Sequence, residues 1–445
     1  MTDSLPFIVD ARPDAVMAYR GAQPIHVAEF LGDVASLAAR LPDHRHVINL
    51  CIDRYRFTVA FAAALMREQI SLLLPNETSD LIEAVAADYP DLYCLTDSSF
   101  RHAAIPCVDY PDSVERPAMS ADRLHFPETQ PAALVFTSGS TGRPVPNLKK
   151  WGSLVRSARA AGDSFNVGNL AGAVLLATVP QQHMYGFEST VLLALQHGLA
   201  IHGGRPFFPA DICAYLDELP RPRVLVTTPI HLRALVAEPG AVLPAVDFLL
   251  SAAAPLTPQL AIEAEARFHA PLYEIYGCSE AGQVASRRTT QTDEWRCFKD
   301  IALRQDDQGT WASGKVIAAD VLLQDVIELR GGDCFLLHGR TKDMVNVAGK
   351  RNSLVHLTHH LNSIPGVRDG VFMMPEDDGE AVTRLIAFVV APGLTADAIM
   401  SALRQRIDAA FLPRPLCLVD CLPRNATGKL PHAALTKLAA EFAGK

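Results

Sequence analysis

Short apolar segments alternate with helical patterns through most of this 445-residue chain. A strand that is covered by helices on both faces has no polar side, so its sequence is apolar almost throughout. The order strand, helix, strand favours parallel pairing and predicts an α/β architecture. The predicted strands lie at residues 46–52, 133–138, 173–179, 223–228 and 246–252, and the predicted crossover helices at residues 57–67, 148–161 and 209–218.

The pattern changes after Gly339, where a turn at residues 364–370, a strand at 385–392 and a helix at 395–411 predict a smaller α+β unit. A single apolar core stops growing at roughly 250–300 residues, so a chain of this length is expected to form more than one domain. We therefore expect an N-terminal body over residues 1–340 and a C-terminal domain over 341–445. Because no Gly/Ser-rich linker separates them, the junction can act as a defined hinge.

The net charge of −9 argues against a nucleic-acid partner, because such proteins neutralise phosphates with clustered Lys and Arg. The best apolar run, at residues 57–74, is broken by Arg67 and Glu68, so we expect no membrane span. The first residues have no basic segment followed by an apolar one. These observations predict a cytoplasmic protein with a small ligand.

The strongest local motif, Thr137-Ser138-Gly139-Ser140-Thr141-Gly142, follows a strand-like segment directly. Two glycines let backbone N–H groups turn towards one anion, and the hydroxyl groups add further donors. The motif therefore predicts a phosphate-binding loop, with a plain polar turn as the alternative. It is not a Walker loop, because no Gly-Lys-Ser/Thr follows at the required spacing.

Four later segments, together with this loop, resemble motifs of the adenylate-forming superfamily of acyl-CoA synthetases, peptide-synthetase adenylation domains and firefly luciferase. The resemblance covers residues from about 50 to 435 and implies a large body of doubly wound α/β subdomains with a small mobile C-terminal domain. It also implies ATP and Mg²⁺ as cofactors. The four segments are residues 251–256, 275–280, 339–349 and 423–429.

The resemblance implies a role for each residue that matches a motif. The catalytic residues would be Lys429, Glu280 and Thr137, with Glu280 as the metal ligand and Lys342 at the hinge. A carboxylate beside a phosphate loop suits Mg²⁺, and a lysine that bridges two anions lowers their repulsion; the alternatives are a solvated loop acid and a surface lysine. The nucleotide-binding residues would be Thr137, Ser138, Gly139, Ser140, Thr141, Gly142, Ala253, Ala254, Tyr276, Gly277, Ser279, Asp325, Arg340 and Lys429.

The chain departs from the family pattern at several positions. The lysine that the family has after the phosphate loop is Val145 here, so charge on the leaving pyrophosphate would come from Arg143, Lys149 or Lys150. The residues before Asp325 also differ, since Leu323-Gln324 replaces the usual Thr-Gly. Further departures in the C-terminal region are His356, Thr358 and His432.

The segment at residues 179–186 resembles the part of the family that lines the acid pocket. His183 and Tyr185, with the small Ala252 and Gly277, would suit a flat hydroxylated ring; the alternative is that both aromatic residues serve only packing. The compact chain resembles the aryl-acid ligases of aryl-polyene and xanthomonadin-type pigment pathways, which implies an acid such as 4-hydroxybenzoate. The acceptor would be the thiol of coenzyme A or of an acyl carrier protein.

Two alternative functions remain open on the sequence alone. One is a ligase for medium- or long-chain fatty acids. The other is a nucleotide-binding homologue without catalysis. Val145 in place of the family's lysine, and His356 and Thr358 in place of its two glutamates, favour this alternative. Retention of Glu280 and Lys429 argues against this second alternative.

Overall fold

The structure is a computed structural model, and it confirms the predicted α/β class. It describes residues 3–111, 115–138, 144–237, 242–340, 344–347, 350–375, 384–424 and 430–443.

The first sheet lies in the N-terminal third of the chain, beside a short antiparallel pair of β1 (Ser4–Pro6) and β8 (His125–Pro127). Neighbouring strands of this sheet pair in parallel, except for an antiparallel pair at one edge. Across the sheet the order is β10 (Pro144–Lys150), β9 (Pro131–Ser138), β5 (Ile70–Leu73), β4 (His46–Asn49), β6 (Leu92–Thr96) and β7 (Cys107–Asp109).

The helix predicted at residues 148–161 begins later than expected. Residues 144–150 form β10, which pairs antiparallel with β9, so Leu148 and Lys149 belong to a strand. The helix itself spans Trp151–Ser164. The prediction was wrong at this boundary because the pairing with β9 outweighed the local helical pattern.

A second, larger sheet forms the centre of the molecule. Its middle strands, from β2 to β15, pair in parallel, whereas the strands at both ends pair antiparallel. Across the sheet the order is β21 (Asp325–Gly331), β22 (Cys334–Arg340), β17 (Trp295–Cys297), β16 (Gly282–Arg287), β15 (Leu272–Cys278), β14 (Phe248–Ser251), β13 (Arg223–Thr227), β11 (Val174–Ala177), β12 (Ala200–His202), β2 (Val16–Arg20) and β3 (Gln23–His26). A separate small sheet holds β18 (Ile301–Asp306), β19 (Gly309–Gly314) and β20 (Val321–Leu323).

Helices cover the sheets, and several begin at a side chain that accepts a hydrogen bond from the first turn, as Asp53 does from Arg56 and Thr257 from Leu260. No helix among the described residues is long and apolar enough to cross a membrane. In the N-terminal 340 residues the α-helices are α1 (Val27–Ala38), α2 (Arg54–Met66), α3 (Ser79–Asp88), α4 (Trp151–Ser164), α5 (Met184–Gly186), α6 (Leu193–His197), α7 (Pro209–Glu218), α8 (Pro229–Val236) and α9 (Pro258–Phe268), with a π-helical segment Phe187–Leu192 between α5 and α6.

The residues after Arg340 build apolar clusters of their own. The domain boundary at residue 340 stays a prediction. The helix predicted at 395–411 is shorter than expected and ends at Arg404. Asp408 then caps a separate 3₁₀ turn at Ala409–Phe411. The elements are β23 (Met344–Val347), β24 (Lys350–Ser353), α10 (Leu354–Asn362), β25 (Asp369–Met373), β26 (Ile386–Val390), α11 (Ala396–Arg404), β27 (Leu416–Leu418) and α12 (His432–Ala443).

Candidate functional site

Three predicted site segments lie at the carboxyl ends of three parallel strands of the central sheet. Residues 179–186 follow β11, residues 252–256 follow β14, and residues 276–280 lie at the end of β15. Because the carboxyl ends of parallel strands meet at one edge, these segments share the edge at which open α/β sheets bind ligands. The topology therefore brings the predicted acid and nucleotide residues to the same side of the sheet.

A buried arginine supports the beginning of the acid segment. Arg54 is fully buried at the start of α2. Its guanidinium donates to the carbonyl oxygens of Val179 at 3.0 Å and Ala177 at 3.2 Å, and also to those of His202 and Gly204 at 3.0 Å. Arg54 belongs to none of the motifs above, although an arginine at the start of an otherwise apolar helix is a visible signal in the sequence.

The side chain of Tyr185 already has a partner inside the protein. Its hydroxyl donates to the carbonyl oxygen of Thr227 at 3.0 Å, and burial raises the pKa of this phenol well above its ordinary value. The segment turns tightly here, since a Cβ atom on Gly186 would lie 2.0 Å from the carbonyl oxygen of Pro180. The Tyr185 hydroxyl can therefore meet a ring hydroxyl of the substrate only as an acceptor, while its ring can line the pocket. His183 is half-buried just before α5.

The predicted adenosine residues come together at one end of the central sheet. The Tyr276 hydroxyl donates to Asp325 Oδ2 at 2.7 Å, and Asp325 lies opposite Arg340 in the pairing of β21 with β22. The Tyr276 ring contacts Trp295 and Phe335 at centroid distances of 5.7 Å each. The resemblance to the family implied one site for Tyr276, Asp325 and Arg340, and the structure brings these three residues together.

The loops around Tyr276 are built from small residues. Ala252 is buried, Ala254 is half-buried and Ala253 is exposed, with the backbone of Ala253 at a φ of 73°. Gly277 admits no side chain, because a Cβ atom there would lie 2.3 Å from the carbonyl oxygen of Gly282. Tyr276 is itself buried, so the small residues at 252–254 and 277 are the ones that place little side-chain bulk around its ring.

Lys149, one of the residues expected to neutralise the pyrophosphate, instead points into the protein. It is 6% exposed, and its Nζ donates to the carbonyl oxygen of Glu280 at 2.6 Å. Glu188 lies close to it, and Ser157 Oγ donates to this carboxyl group at 2.8 Å. Lys149 is buried, and its ammonium group donates to a backbone oxygen. The alternative that Lys149 contacts the pyrophosphate does not fit this geometry.

The burial of this cluster changes its titration. Burial raises the pKa of Glu188 to about 7, although Ser157 and Lys149 both oppose that change. Burial also lowers the pKa of Lys149. The cluster fixes the backbone of Glu280 while its side chain stays exposed at the surface of the site.

The exposed Glu280 carboxylate fits a magnesium ion that is shared with substrate phosphates. Mg²⁺ in nucleotide sites takes one or two protein carboxylates and completes its shell with phosphate oxygens and water. No group of three or more His, Cys, Asp or Glu residues suited to a metal occurs in the part of the chain that the structure describes. A single carboxylate is therefore the protein ligand that these residues offer.

Several predicted site residues lie outside the described residues, namely Gly139, Ser140, Thr141, Gly142, Lys342 and Lys429, and so does Arg143. Thr137 is half-buried at the end of β9, where it pairs with Val145, and Ser138 is the last residue of that strand. Ser279 is half-buried beside Glu280, and Lys150 is exposed. An open cavity of about 510 Å³ lies elsewhere, lined by Cys297, Lys299 and Asp333 among others, and includes none of the predicted site residues.

The central part of the chain matches a known protein family. Residues 108–302 match the AMP-binding enzyme family. This AMP-binding segment contains the phosphate loop, the acid segment and the Tyr276–Glu280 motif, whereas Asp325 and Lys429 come after it. The chain is also 28% identical over 306 residues to the 4-coumarate–CoA ligase of Rhodobacter capsulatus, covering 68% of this chain and 75% of that protein.

Solved structures extend the likeness in fold beyond the AMP-binding segment. ATP-bound MatB from Rhodopseudomonas palustris superposes with a TM-score of 0.83 at 16% identity, covering 98% of this chain and 97% of that one. The anthranilate CoA ligase AuaEII with anthranoyl-AMP superposes with a TM-score of 0.81 at 15% identity, covering 99% of both chains. The fold of these enzymes therefore extends over nearly the whole chain, including the part after Arg340.

Proposed function

We propose that this chain joins a carboxylic acid to ATP as an acyl-adenylate, with Mg²⁺, and then transfers the acyl group to a thiol. The observation that carries the proposal is the hydrogen bond of Tyr276 to Asp325, which brings Asp325 to the Tyr276–Glu280 motif of the AMP-binding segment. A planar ring, a carboxylate for hydroxyl groups and a carboxylate for a metal are the chemical groups that adenosine and magnesium phosphate require.

The nucleotide would lie across the carboxyl edge of the central sheet. Asp325 would accept hydrogen bonds from the ribose hydroxyls, with Arg340 next to it in the strand pairing. Tyr276 and the loop at 252–254 would contact the adenine. Thr137 and the rest of the phosphate loop would bind the phosphates, and Glu280 with Ser279 beside it would hold the metal.

Two half-reactions follow from this arrangement. In the first, a carboxylate oxygen of the acid attacks the α-phosphorus, and the bond to pyrophosphate breaks. Lys429 would stabilise the charge that develops between the two anions. In the second, the sulfur of the thiol attacks the acyl carbon and AMP leaves, after rotation of residues 341–445 about the hinge at Lys342 has opened the site.

For the acid, we propose an aromatic carboxylate such as 4-hydroxybenzoate. The names of two relatives, a 4-coumarate–CoA ligase and an anthranilate CoA ligase, support an aromatic acid. The half-buried His183 and the small Ala252 and Gly277 support a short, flat pocket. Because the Tyr185 hydroxyl donates to Thr227, it would meet a ring hydroxyl of the acid as an acceptor, and His183 lies in the same segment. The same names favour coenzyme A as acceptor over a carrier protein that presents the same phosphopantetheine thiol.

The decisive test separates the half-reactions in the wild type and in Lys429→Ala. Pyrophosphate release is measured with 4-hydroxybenzoate, benzoate, acetate and palmitate, and thiolysis is measured with supplied acyl-adenylate and coenzyme A. We expect Lys429→Ala to lose adenylate formation by at least about 100-fold while thiolysis stays within a few fold, because the bridging charge acts only in the first transition state. Equal loss of both steps would overturn the assignment of Lys429, and preference for palmitate would overturn the aromatic acid.

A further inference from the structure

One carboxylate contacts two arginines that come from different parts of the chain. Arg424 donates to Asp369 through Nε at 2.7 Å and through Nη2 at 2.8 Å, which is the two-pronged geometry of a strong arginine–carboxylate pair. On the other side, Arg233 Nη1 lies 3.6 Å from Asp369 Oδ2. We call these three residues the Asp369 cluster.

The three residues of the Asp369 cluster lie on elements from both parts of the chain. Arg233 belongs to α8, which begins just after Thr227, the residue whose carbonyl oxygen binds Tyr185. Asp369 is the first residue of β25, in the C-terminal part. Arg424 directly precedes residues 425–429, which end in Lys429. A single carboxylate thus joins α8, the helix that follows Thr227, to Arg424, the residue before the lysine-bearing segment.

We propose that the Asp369 cluster holds the C-terminal part against the body in the arrangement that forms the adenylate, and that Arg233 is the positioning residue on the body. This proposal rests on the proposed function and adds a device that acts on its first half-reaction. Arg233 acts only through Asp369 and Arg424. Its side chain therefore affects where Lys429 lies and takes no part in the chemistry.

The strength of the contact suits a reversible role. The side chains of Arg233 and Asp369 are 31% and 13% exposed, so water and salt reach the pair. Partly exposed ion pairs contribute about 0–1 kcal/mol, which is small enough to break in each catalytic cycle. When the contact opens, Asp369 keeps its closer pair with Arg424, so no carboxylate is left buried without a partner.

The test replaces Arg233 with Met, which keeps the length and apolar contacts of the side chain but removes its charge. The matched control is Arg288→Met, since Arg288 pairs with Glu265 within the body at 2.8 Å and the two side chains are 32% and 15% exposed. Both half-reactions are measured, with Arg233→Lys as the conservative variant. We expect Arg233→Met to slow adenylate formation about threefold and to leave thiolysis unchanged, Arg233→Lys to restore most of the rate, and Arg288→Met to affect both steps equally or not at all.

Equal slowing of both half-reactions by Arg233→Met, or no slowing of either, would overturn the role of the cluster. If the wild type activates none of the acids, the proposed function fails, and hydrogen–deuterium exchange then decides on the contact alone. We expect faster amide exchange at β25 and residues 420–424 in Arg233→Met than in Arg288→Met. Identical exchange in the two variants would overturn the contact itself.

Discussion

Two charged clusters of this molecule differ in their exposure to water. The cluster around Lys149 lies inside the body, where Lys149 is 6% and Glu188 is 2% exposed. The Asp369 cluster lies between the body and the C-terminal part, and the Arg233 side chain in it is 31% exposed. The first supports the backbone of Glu280, and the second reaches the base of the segment that ends in Lys429.

This difference in exposure sets what each cluster can do. Buried charged groups are costly to expose or to leave uncompensated, so the buried cluster is suited to one geometry. An ion pair that water reaches contributes little and can be broken and formed again. A metal ligand needs a fixed position, whereas a domain that serves two half-reactions needs a contact that can open.

The largest effect is expected from Lys149→Met, because this change leaves the carboxyl group of Glu188 buried beside an apolar side chain. We expect the free energy of unfolding to fall by about 3 kcal/mol, measured by urea denaturation at pH 8. The neighbouring Lys150→Met is the matched control, since Lys150 is exposed, and it should change the free energy of unfolding by less than about 0.5 kcal/mol.

The double variant Lys149→Met/Glu188→Gln identifies the source of that loss. Removing the carboxylate as well should recover part of the lost stability, because a neutral amide is less costly to bury than an unpaired charge. If Lys149→Met is no less stable than Lys150→Met, the two clusters do not differ as proposed.

A smaller effect is expected in the dependence of stability on pH. Burial raises the pKa of Glu188 to about 7 from its ordinary value of 4.5. The folded protein therefore holds this proton more tightly than the unfolded chain does, and the resulting stability is fully present below pH 4.5 and is lost as pH rises through 7.

Glu188→Gln isolates this contribution, since glutamine does not titrate. Between pH 5 and pH 8 we expect the wild type to lose on the order of 2 kcal/mol of stability relative to Glu188→Gln. The measurement is a series of urea unfolding curves on both proteins in one buffer system. Parallel pH profiles of the two proteins would show that Glu188 does not titrate in this range.

The sequence predicted the parts of this site that depend on order along the chain. The apolar segments predicted parallel strands, and the resemblance to the family's motifs selected Tyr276, Asp325 and Arg340, which the structure brings to one end of the central sheet. Parallel pairing and the position of these loops follow from local pattern, because the carboxyl ends of parallel strands share an edge.

The sequence could not predict contacts between residues far apart in the chain. Lys149 was one of three alternatives for the charge at the pyrophosphate, and its contact with the carbonyl oxygen of Glu280 joins residues separated by 131 positions. Arg54 and the Asp369 cluster were missed for the same reason, since their partners are backbone oxygens and side chains that only the fold brings near. The hydrogen bond of Tyr185 to Thr227 likewise has no signal in either segment.

The smallest effect is expected from salt, and it compares the two clusters directly. At 0.5 M salt the screening length falls to roughly 4–5 Å, so the partly exposed contact of Arg233 with Asp369 should weaken while the buried cluster is screened much less. We measure the adenylation rate of the wild type divided by that of Arg233→Met, at saturating ATP, because this ratio removes effects of salt on nucleotide binding that both proteins share. The ratio should fall from about three at 0.05 M to about 1.5 at 0.5 M NaCl, whereas the difference in unfolding free energy between the wild type and Lys149→Met should hardly change. A ratio that is independent of salt would mean that the Asp369 cluster is as well shielded as the buried one, and the contrast between a fixed and a reversible cluster would then be wrong.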